Sequence, residues 1–246
     1  MASGRGVMRK GIVYYSDNRP DKKILRACQQ QIDLSGLETV NVSINVRPSR
    51  EDWGDQRIAL IAERGCLTMF RQQLIGLQES TADIIFFCEH DVLYHPSHFE
   101  FTPRLNDVYY YNENIYKVRY PDGQAVFYYC KQTSGLCAHR ELLLEHYRKR
   151  VERVEKTGYT SAIGFEPGTH YRKERIDNYT SEAWMSQHPN IDIRHNRNLT
   201  PSRWSTTEFR NKKFTDGWTE VTDVPAWGKV ADGAIVGIVD NILGAL

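Results

Sequence analysis

Several features that would mark a specialised class of protein are scarce or missing in this chain of 246 residues. Its five cysteines form no Cys-x-x-Cys pair, and their number is odd. This argues against a zinc ribbon or a disulfide framework and predicts reduced thiols in the cytoplasm. No apolar run approaches the roughly 18 residues of a membrane helix and no signal peptide is recognisable, so no membrane partner is expected. The net charge of +1 excludes a strongly polybasic chain.

The most informative segment that is present runs from Ile84 to Asp91. Its apolar part, residues 84–88, predicts a strand buried on both faces, as in the parallel sheet of an α/β domain. In such sheets the ligand binds outside the carboxyl ends of the strands. Glu89 and Asp91 follow the strand directly, so two carboxylates lie where a ligand is expected. Oxygen ligands of this kind suit Mg²⁺ or Mn²⁺ bridging a diphosphate.

The pattern around this segment predicts an α/β half followed by a half richer in antiparallel strands. Strands and helices alternate over the first ninety residues, and this β-α-β-α-β order implies a parallel sheet covered by helices. Aromatic and β-branched residues then favour antiparallel pairing. Ile235, Val239 and Leu246 share one face of a terminal docking helix. The predicted strands are residues 11–16, 40–44, 84–88, 108–111, 115–118 and 125–130, and the predicted helices are residues 21–34, 67–77, 140–156, 182–187 and 233–246.

These segments together resemble glycosyltransferases of the GT-A fold. The resemblance rests on the α/β half, on the acidic strand end Glu89-His90-Asp91, and on a second half of mixed strands. It extends to residues 65–71, where such enzymes place a helix with a basic residue facing the donor pyrophosphate. It also extends to residues 191–195, which are similar to the strand bearing the family's histidine metal ligand. The resemblance covers roughly residues 10–205.

The resemblance implies an α/β fold with a GT-A (Rossmann-like) mixed sheet flanked by helices, an antiparallel acceptor-side sheet and a loop-rich C-terminal segment. Residues 8–205 would form the glycosyltransferase domain, and residues 206–246 would form a C-terminal extension with the docking helix. The implied activity is metal-dependent transfer of a sugar from a nucleotide-diphosphate sugar, the donor, to a hydroxyl acceptor. Mn²⁺ or Mg²⁺ is the implied cofactor.

Metal and donor contacts follow from the same resemblance. The family's acidic motif is usually Asp-x-Asp, with the last carboxylate closest to the metal, and Glu89 takes the first place here. Asp91 is therefore the predicted metal ligand, together with His195. Three other histidines are expected to be solvated or outside the ligand set: His90, His95 and His98. The predicted donor contacts are Tyr15, Ser16, Asp17, Arg71 and Glu89.

Catalytic and acceptor roles can also be carried over. Inverting members place a catalytic carboxylate at the start of a helix, which nominates Glu182, with Glu166 and Asp177 as rivals. A retaining enzyme would need no such base, and the sequence leaves this open. For each residue an ordinary role as a turn, a helix start or a solvated charge is the alternative. The predicted acceptor contacts are Gly135, Arg203 and Trp204.

The identity of the acceptor stays open between several classes. Basic residues interleaved with tryptophans in the C-terminal third suit phosphate contact and stacking, and the chain resembles phage enzymes that glycosylate 5-hydroxymethylpyrimidines in DNA. Modified double-stranded DNA is therefore one expected partner, and a glycan, a lipid-linked sugar, a protein or a small molecule are the others. A nucleotidyltransferase is a rival, although it would usually carry a glycine-rich loop after its first strand. A non-enzymatic nucleic-acid-binding protein is the alternative from a different class.

Overall fold

The helices and strands follow the predicted alternation over the first ninety residues. A computed structural model describes residues 7–44, 53–170 and 175–244. Its helices are α1 (Lys22–Asp33), α2 (Cys66–Glu79), α3 (Arg140–Thr157) and α4 (Ala234–Gly244). Its strands are β1 (Lys10–Ser16), β2 (Glu38–Ile44), β3 (Gln56–Leu60), β4 (Ile84–Glu89), β5 (Val92–Leu93), β6 (Val108–Asn112), β7 (Ile115–Arg119), β8 (Ala125–Phe127), β9 (Leu136–His139), β10 (Thr180–Trp184), β11 (Asn190–Arg194), β12 (Thr219–Val221), β13 (Asp223–Val224) and β14 (Gly228–Lys229).

The larger sheet has the strand order β10-β6-β9-β4-β1-β2-β3. Strands β4, β1, β2 and β3 run parallel, whereas β9 runs antiparallel to both β4 and β6. Residues 84–88 of β4 are fully buried, as the continuous apolar run predicts. The protein therefore has the predicted α/β fold, with a large mixed sheet flanked by helices.

Helix α2 packs closely on the larger sheet because its inner face carries a small residue. Phe70 and Leu77 of this helix are buried, as the predicted apolar stripe requires. Gly76 lies directly against Val13 of β1, and a side chain at this position would collide with the valine. The close approach brings the first turn of α2 to the carboxyl end of β1.

The smaller sheet has the order β12-β8-β7-β11-β5. Strands β7 and β8 pair antiparallel, as predicted, and β11 runs parallel to β7. Strand β5 pairs antiparallel with β11 and directly follows the turn after β4. This pairing links the end of the larger sheet to the smaller one.

Three local predictions are wrong. Residues 182–187 do not begin a helix, because residues 180–184 form β10, which pairs with β6 along the edge of the larger sheet. Residues 136–139, for which no strand is predicted, form β9, which is inserted between β4 and β6. The predicted strand at residues 125–130 ends at Phe127. Short strands of this kind depend on their pairing partners more than on their own residues.

The C-terminal segment is tied into the rest of the fold. Strand β12 adds to the edge of the smaller sheet beside β8. Helix α4 packs on α1, with Ile235 and Val239 buried and an ion pair of 2.8 Å between Lys23 and Asp240. Leu246, predicted on the same face, lies outside the described residues. The proposed boundary between residues 205 and 206 stays a prediction. None of the helices in the described ranges is both long and apolar enough to cross a membrane.

Candidate active site

A cavity of about 520 Å³ opens at the carboxyl ends of β1 and β4. One wall comes from these strands and the start of α2. The opposite wall comes from β7, β11 and residues 198–204, which we call the strap. Ligands of open α/β sheets bind in this position. The predicted site residues that line the cavity are Tyr15, Ser16, Asp17, Glu89, Asp91, Glu166, Arg203 and Trp204.

Asp91 and His195 meet because β11 runs beside the turn that follows β4. The amide of Ile193 donates a hydrogen bond of 2.8 Å to the carbonyl of Asp91. His195 Nε2 lies 3.4 Å from Asp91 Oδ2, and His90 Nε2 lies 3.8 Å from the same oxygen. The three side chains offer ligand atoms within 4.8 Å of one another. The expectation that His90 stays apart is not met, because the chain turns at residues 90–91 and leaves the pleat of the strand.

Hydrogen bonds around Ser16 determine which nitrogen of His90 carries a proton. Asn18 Nδ2 donates to the carbonyl of Ile44 at 2.9 Å, which turns Asn18 Oδ1 toward Ser16 Oγ. Ser16 Oγ donates its hydrogen to that oxygen at 2.8 Å and accepts the Asn18 amide at 2.9 Å. In the 3.0 Å contact between His90 Nδ1 and Ser16 Oγ, the ring nitrogen must therefore be the donor. In the neutral form of the ring, His90 Nε2 therefore carries the lone pair, and this nitrogen lies 3.8 Å from Asp91 Oδ2 and 3.8 Å from Asp17 Oδ1.

In His195 the other ring nitrogen, Nδ1, is the hydrogen-bond acceptor. The backbone amide of Arg197 donates to His195 Nδ1 at 3.1 Å, so the proton of the neutral ring lies on Nε2. This buried Nε2 has no hydrogen-bond partner among the described residues. A metal ion binds the lone pair of a neutral imidazole. His195 can bind an ion through Nε2 only after Nδ1 gives up the Arg197 amide, whereas His90 needs no rearrangement.

The two ring orientations give a prediction about metal affinity. A carboxylate and an imidazole suit Mn²⁺, and the cluster of Asp91, His90 and His195 offers both. We expect His90→Ala to weaken Mn²⁺ binding at least about tenfold, and more than His195→Ala does. Titration followed by the electron paramagnetic resonance signal of free Mn²⁺ measures this, with His95→Ala as the matched control. A larger loss in His195→Ala would contradict the assignment.

The two acids at the carboxyl end of β4, Glu89 and Asp91, carry different charges. Burial, followed by the negative charge of Asp91, raises the pKa of Glu89 to about 8. Burial also acts to raise the pKa of Asp91, but the positive charges of the protonated His90 and His195 rings and of Arg194 outweigh it and lower that pKa below its ordinary value. Asp91 is therefore the carboxylate of the cluster. Glu89 is a neutral acid at neutral pH, and its Oε1 accepts a hydrogen bond of 2.5 Å from the Tyr15 hydroxyl.

The donor side of the cavity contains an ion pair and the start of a helix. Arg64 Nε lies 2.5 Å from Asp17 Oδ2, and Arg64 Nη2 donates to the carbonyl of Arg197 at 2.7 Å. Gly65 precedes α2 and carries no side-chain cap, and the first helical residue, Cys66, lines the cavity. A helix N-terminus beside a guanidinium favours a bound anion.

Arg71 lies elsewhere. It is half exposed on α2, where it pairs with Glu155 of α3 at 2.7 Å, and it is not among the residues that line the cavity. Its role in donor binding stays a prediction. Arg64 supplies the guanidinium at the cavity instead. A cation directly before Gly65, at the start of a predicted helix, was the signal in the sequence that could have found it.

Glu166 is the catalytic candidate that faces the cavity. Its carboxylate accepts a hydrogen bond from the Thr133 hydroxyl, and burial raises the pKa of Glu166. Glu182 lies on β10, pairs with Arg104 at 3.2 Å and does not line the cavity. Asp177 contacts a buried histidine and is also outside the cavity lining.

The three predicted acceptor contacts are placed differently. Gly135 packs inside the fold, because a Cβ there would lie 2.6 Å from the carbonyl oxygen of Asn112. The position therefore requires glycine for steric reasons. Gly135 does not line the cavity, whereas the neighbouring Ser134 does. Arg203 and Trp204 both line the cavity from the strap.

The smaller sheet contributes charged residues that sequence reasoning missed. Along β11, Ile191 and Ile193 are buried in an apolar cluster, whereas Asp192 and Arg194 face the cavity. This alternation of apolar and charged residues is the signal that could have found them. Arg194 is one of the basic residues of the C-terminal third that the sequence indicates for phosphate contact, and the missed charged residues of the cavity are Arg64, Lys117, Lys131 and Asp192.

Comparisons with known proteins identify similar folds. No protein-family model matches the chain, and no curated protein matches its sequence. Among solved structures, the glycosyltransferase GlyE of Streptococcus pneumoniae TIGR4 is 13% identical over 71% of this chain, with a TM-score of 0.40. The chain spans 45% of the GlyE chain, which is less than half its length.

Two further solved structures are similar over most of their own length. HddC from Yersinia pseudotuberculosis is 8% identical, with a TM-score of 0.43, over 75% of this chain and 93% of its own. The inositol-1-phosphate CTP transferase from T. maritima is 12% identical, with a TM-score of 0.41, over 96% of this chain and 97% of its own. These similarities concern the fold. The chemistry of the site rests on its own residues.

Proposed function

We propose that the protein is a metal-dependent glycosyltransferase that moves a sugar from a nucleoside-diphosphate sugar to a hydroxyl acceptor. One observation carries the proposal. The carboxylate of Asp91, which is 5% exposed, lines a cavity at the carboxyl ends of parallel strands together with His90, and His195 lies behind it within ligand distance of both. An ionised acid buried beside two imidazoles is costly to maintain and suits a bound cation.

The donor would occupy the wall formed by the larger sheet. Asp17 and Ser16 end β1, where a nucleoside can contact them, and Arg64 lies beside the uncapped start of α2. The diphosphate would lie between this helix start and Asp91. A divalent ion held by Asp91 and His90 would neutralise the charge that develops on the leaving diphosphate. Arg64 would add a fixed positive charge to the same group.

The transfer exchanges one bond to the anomeric carbon for another. The bond from this carbon to the diphosphate oxygen breaks, and its electron pair leaves with the nucleoside diphosphate. The acceptor hydroxyl oxygen forms the new bond, and its proton passes to the carboxylate of Glu166. The raised pKa of Glu166 favours this role, because a more basic carboxylate takes the proton more readily. This use of a base describes an inverting reaction.

The direct test is turnover of a panel of nucleotide sugars with Mn²⁺, with Mg²⁺ and with EDTA. We expect release of a nucleoside diphosphate from at least one donor, loss of this release in EDTA, and recovery when Mn²⁺ is added. A nucleotidyltransferase would instead release pyrophosphate from a nucleoside triphosphate and a sugar phosphate. The proposal fails if no donor is turned over and if Mn²⁺ with a nucleoside diphosphate does not raise the melting temperature.

A 5-hydroxymethylpyrimidine in DNA is a second, narrower proposal for the acceptor. Arg203 and Trp204 line the cavity, and the Arg119 guanidinium lies 5.3 Å from the centre of the Trp204 ring. Such residues suit phosphate contact and stacking on an extruded base. Donor turnover should then rise when duplex DNA containing 5-hydroxymethylcytosine is added. DNA binding should weaken steeply with salt, so an affinity independent of salt would exclude this acceptor.

A further inference from the structure

Lys117 is a buried cation whose ammonium group has no polar partner. It lies on β7, is 9% exposed and lines the cavity. Its Nζ lies 4.2 Å from the centre of the Tyr128 ring. Within the described ranges, no residue accepts a hydrogen bond from Nζ and no carboxylate forms an ion pair with it. The stem of Lys117 is thus buried while its ammonium opens on the cavity, where the acceptor oxygens of a ligand can complete its contacts.

The nearest acid is already engaged. Asp192 is the residue of β11 that pairs with Lys117 across the smaller sheet. Its carboxylate accepts hydrogen bonds from Gln132 at 3.3 Å and from Arg194 at 3.4 Å. Burial lowers the pKa of Lys117, but Cys130, the Tyr128 phenol and Asp192 together raise it above its ordinary value. The ammonium therefore remains charged at neutral pH.

A second cation of the cavity, Arg203, also lies against an aromatic ring. The guanidinium of Arg203, on the strap, lies 4.9 Å from the centre of the Phe209 ring. The rings of Phe209 and Tyr128 are 5.4 Å apart and nearly perpendicular. Lys117 and Arg203 thus stand on neighbouring rings of one aromatic cluster. In the described part of the chain, Arg203 likewise donates to no oxygen.

The other basic side chains of the cavity already donate hydrogen bonds to protein oxygens. Arg64 pairs with Asp17. Lys131 Nζ donates to the carbonyl and the hydroxyl of Ser181, each at 3.0 Å. Arg194 donates to Asp192, to the Ser202 hydroxyl and to the carbonyl of Thr200. Among the basic side chains of the cavity, within the described residues, Lys117 and Arg203 are therefore the two that donate to no protein oxygen.

We propose that Lys117 and Arg203 form an anion subsite that binds a phosphate group carried by the acceptor. The subsite rests on the proposed function, because it gives that reaction a substrate class: hydroxyl acceptors that are phosphate esters. It belongs to the smaller sheet and the strap, whereas the donor diphosphate would lie on the larger sheet beside Arg64 and Asp91. A cavity of about 520 Å³ that must also hold the donor favours a small sugar or polyol phosphate.

Calorimetric titration of inorganic phosphate in EDTA tests the subsite without donor, metal or turnover. We expect Lys117→Met to weaken phosphate binding at least about tenfold, because a charge-assisted hydrogen bond is lost. Methionine keeps the unbranched apolar stem, and the melting temperature reports whether the variant folds. Arg203→Met should have a smaller effect because Arg203 is exposed. Lys229→Met, an exposed lysine outside the cavity lining, is the control.

Two comparisons separate this subsite from the donor site. Arg64→Met should weaken only a phosphate site beside the start of α2 and leave the site that Lys117→Met removes, so a loss in Arg64→Met without one in Lys117→Met would overturn the proposal. In transfer assays, Lys117→Met should lower the kcat/KM ratio of phosphorylated to unphosphorylated acceptors at least about tenfold. Competition with phosphate by duplex DNA but not by sugar phosphates would overturn the assignment to a small ester. Absence of any donor turnover would end the transferase proposal, while the phosphate titration would still decide the subsite.

Discussion

Asp91→Asn is expected to lower Mn²⁺-dependent donor turnover at least about a thousandfold, which corresponds to roughly 4 kcal/mol of lost transition-state stabilisation. Asparagine has nearly the shape of aspartate and can keep the 2.7 Å contact with Asn198 Nδ2, where Asp91 Oδ2 is now the acceptor. It lacks the negative charge, so the cluster with His90 and His195 should lose most of its affinity for the cation. The measurement is nucleoside-diphosphate release together with Mn²⁺ affinity.

Asp177→Asn provides the comparison for this variant. Asp177 is also a buried acid beside a histidine, His146, but it does not line the cavity. We expect this change to keep Mn²⁺ affinity and to keep turnover within about tenfold, once the melting temperature shows that the variant folds. Equal losses of turnover in the two variants would mean that the cluster around Asp91 has no special part in the reaction.

Glu166→Gln is expected to lower transfer to the acceptor by roughly 10²- to 10⁴-fold, the usual contribution of a general base. Glutamine cannot take the acceptor proton, although it can still contact the Thr133 hydroxyl. Donor binding should change little, because Glu166 is hydrogen-bonded to Thr133, whereas Asp17 and Arg64 pair with each other. The measurement is kcat for transfer beside the affinity for the nucleoside diphosphate.

The dependence of transfer on pH is an independent test of the role of Glu166 as the base. Burial raises the pKa of Glu166 above that of an ordinary glutamate, so the group stays protonated to a higher pH. Transfer should therefore fall as the pH drops through this raised pKa, and Glu166→Gln should lose that acid limb. Glu182→Gln is the control, because Glu182 lies on β10 and pairs with Arg104. If Glu182→Gln alone abolished transfer, the base would be Glu182.

Local patterns were sufficient to predict the central part of the fold. The apolar run at residues 84–88 predicts a strand buried on both faces, and the alternation of strands and helices before it predicts parallel pairing. These signals depend on short-range periodicity, which does not require knowledge of the partner strand. They also place Asp91 at the edge of the sheet where a ligand is expected.

Other elements depended on long-range pairing. Strand β10 consists of the residues Thr-Ser-Glu-Ala-Trp, which carry no clear strand signal, and it exists because β6 offers an edge to pair with. Strand β9 is short and lies between β4 and β6. Because such pairings join segments distant in sequence, periodicity within either segment cannot reveal them. The prediction of a helix at Glu182 is wrong because it used only the residues of that segment and not its pairing with β6.

The sequence by itself determined the α/β class, the buried strand and the acid that follows it, because each depends on residues that are neighbours along the chain. It also suggested His195 through its resemblance to a known layout. Tertiary structure alone decided that Nε2 of His90 carries the lone pair and lies 3.8 Å from Asp91 Oδ2, since that result depends on Ser16, on Asn18 and on the carbonyl of another strand. It also decided that Lys117 lies over the Tyr128 ring with no hydrogen-bond acceptor among the described residues, because burial and pairing belong to the folded chain.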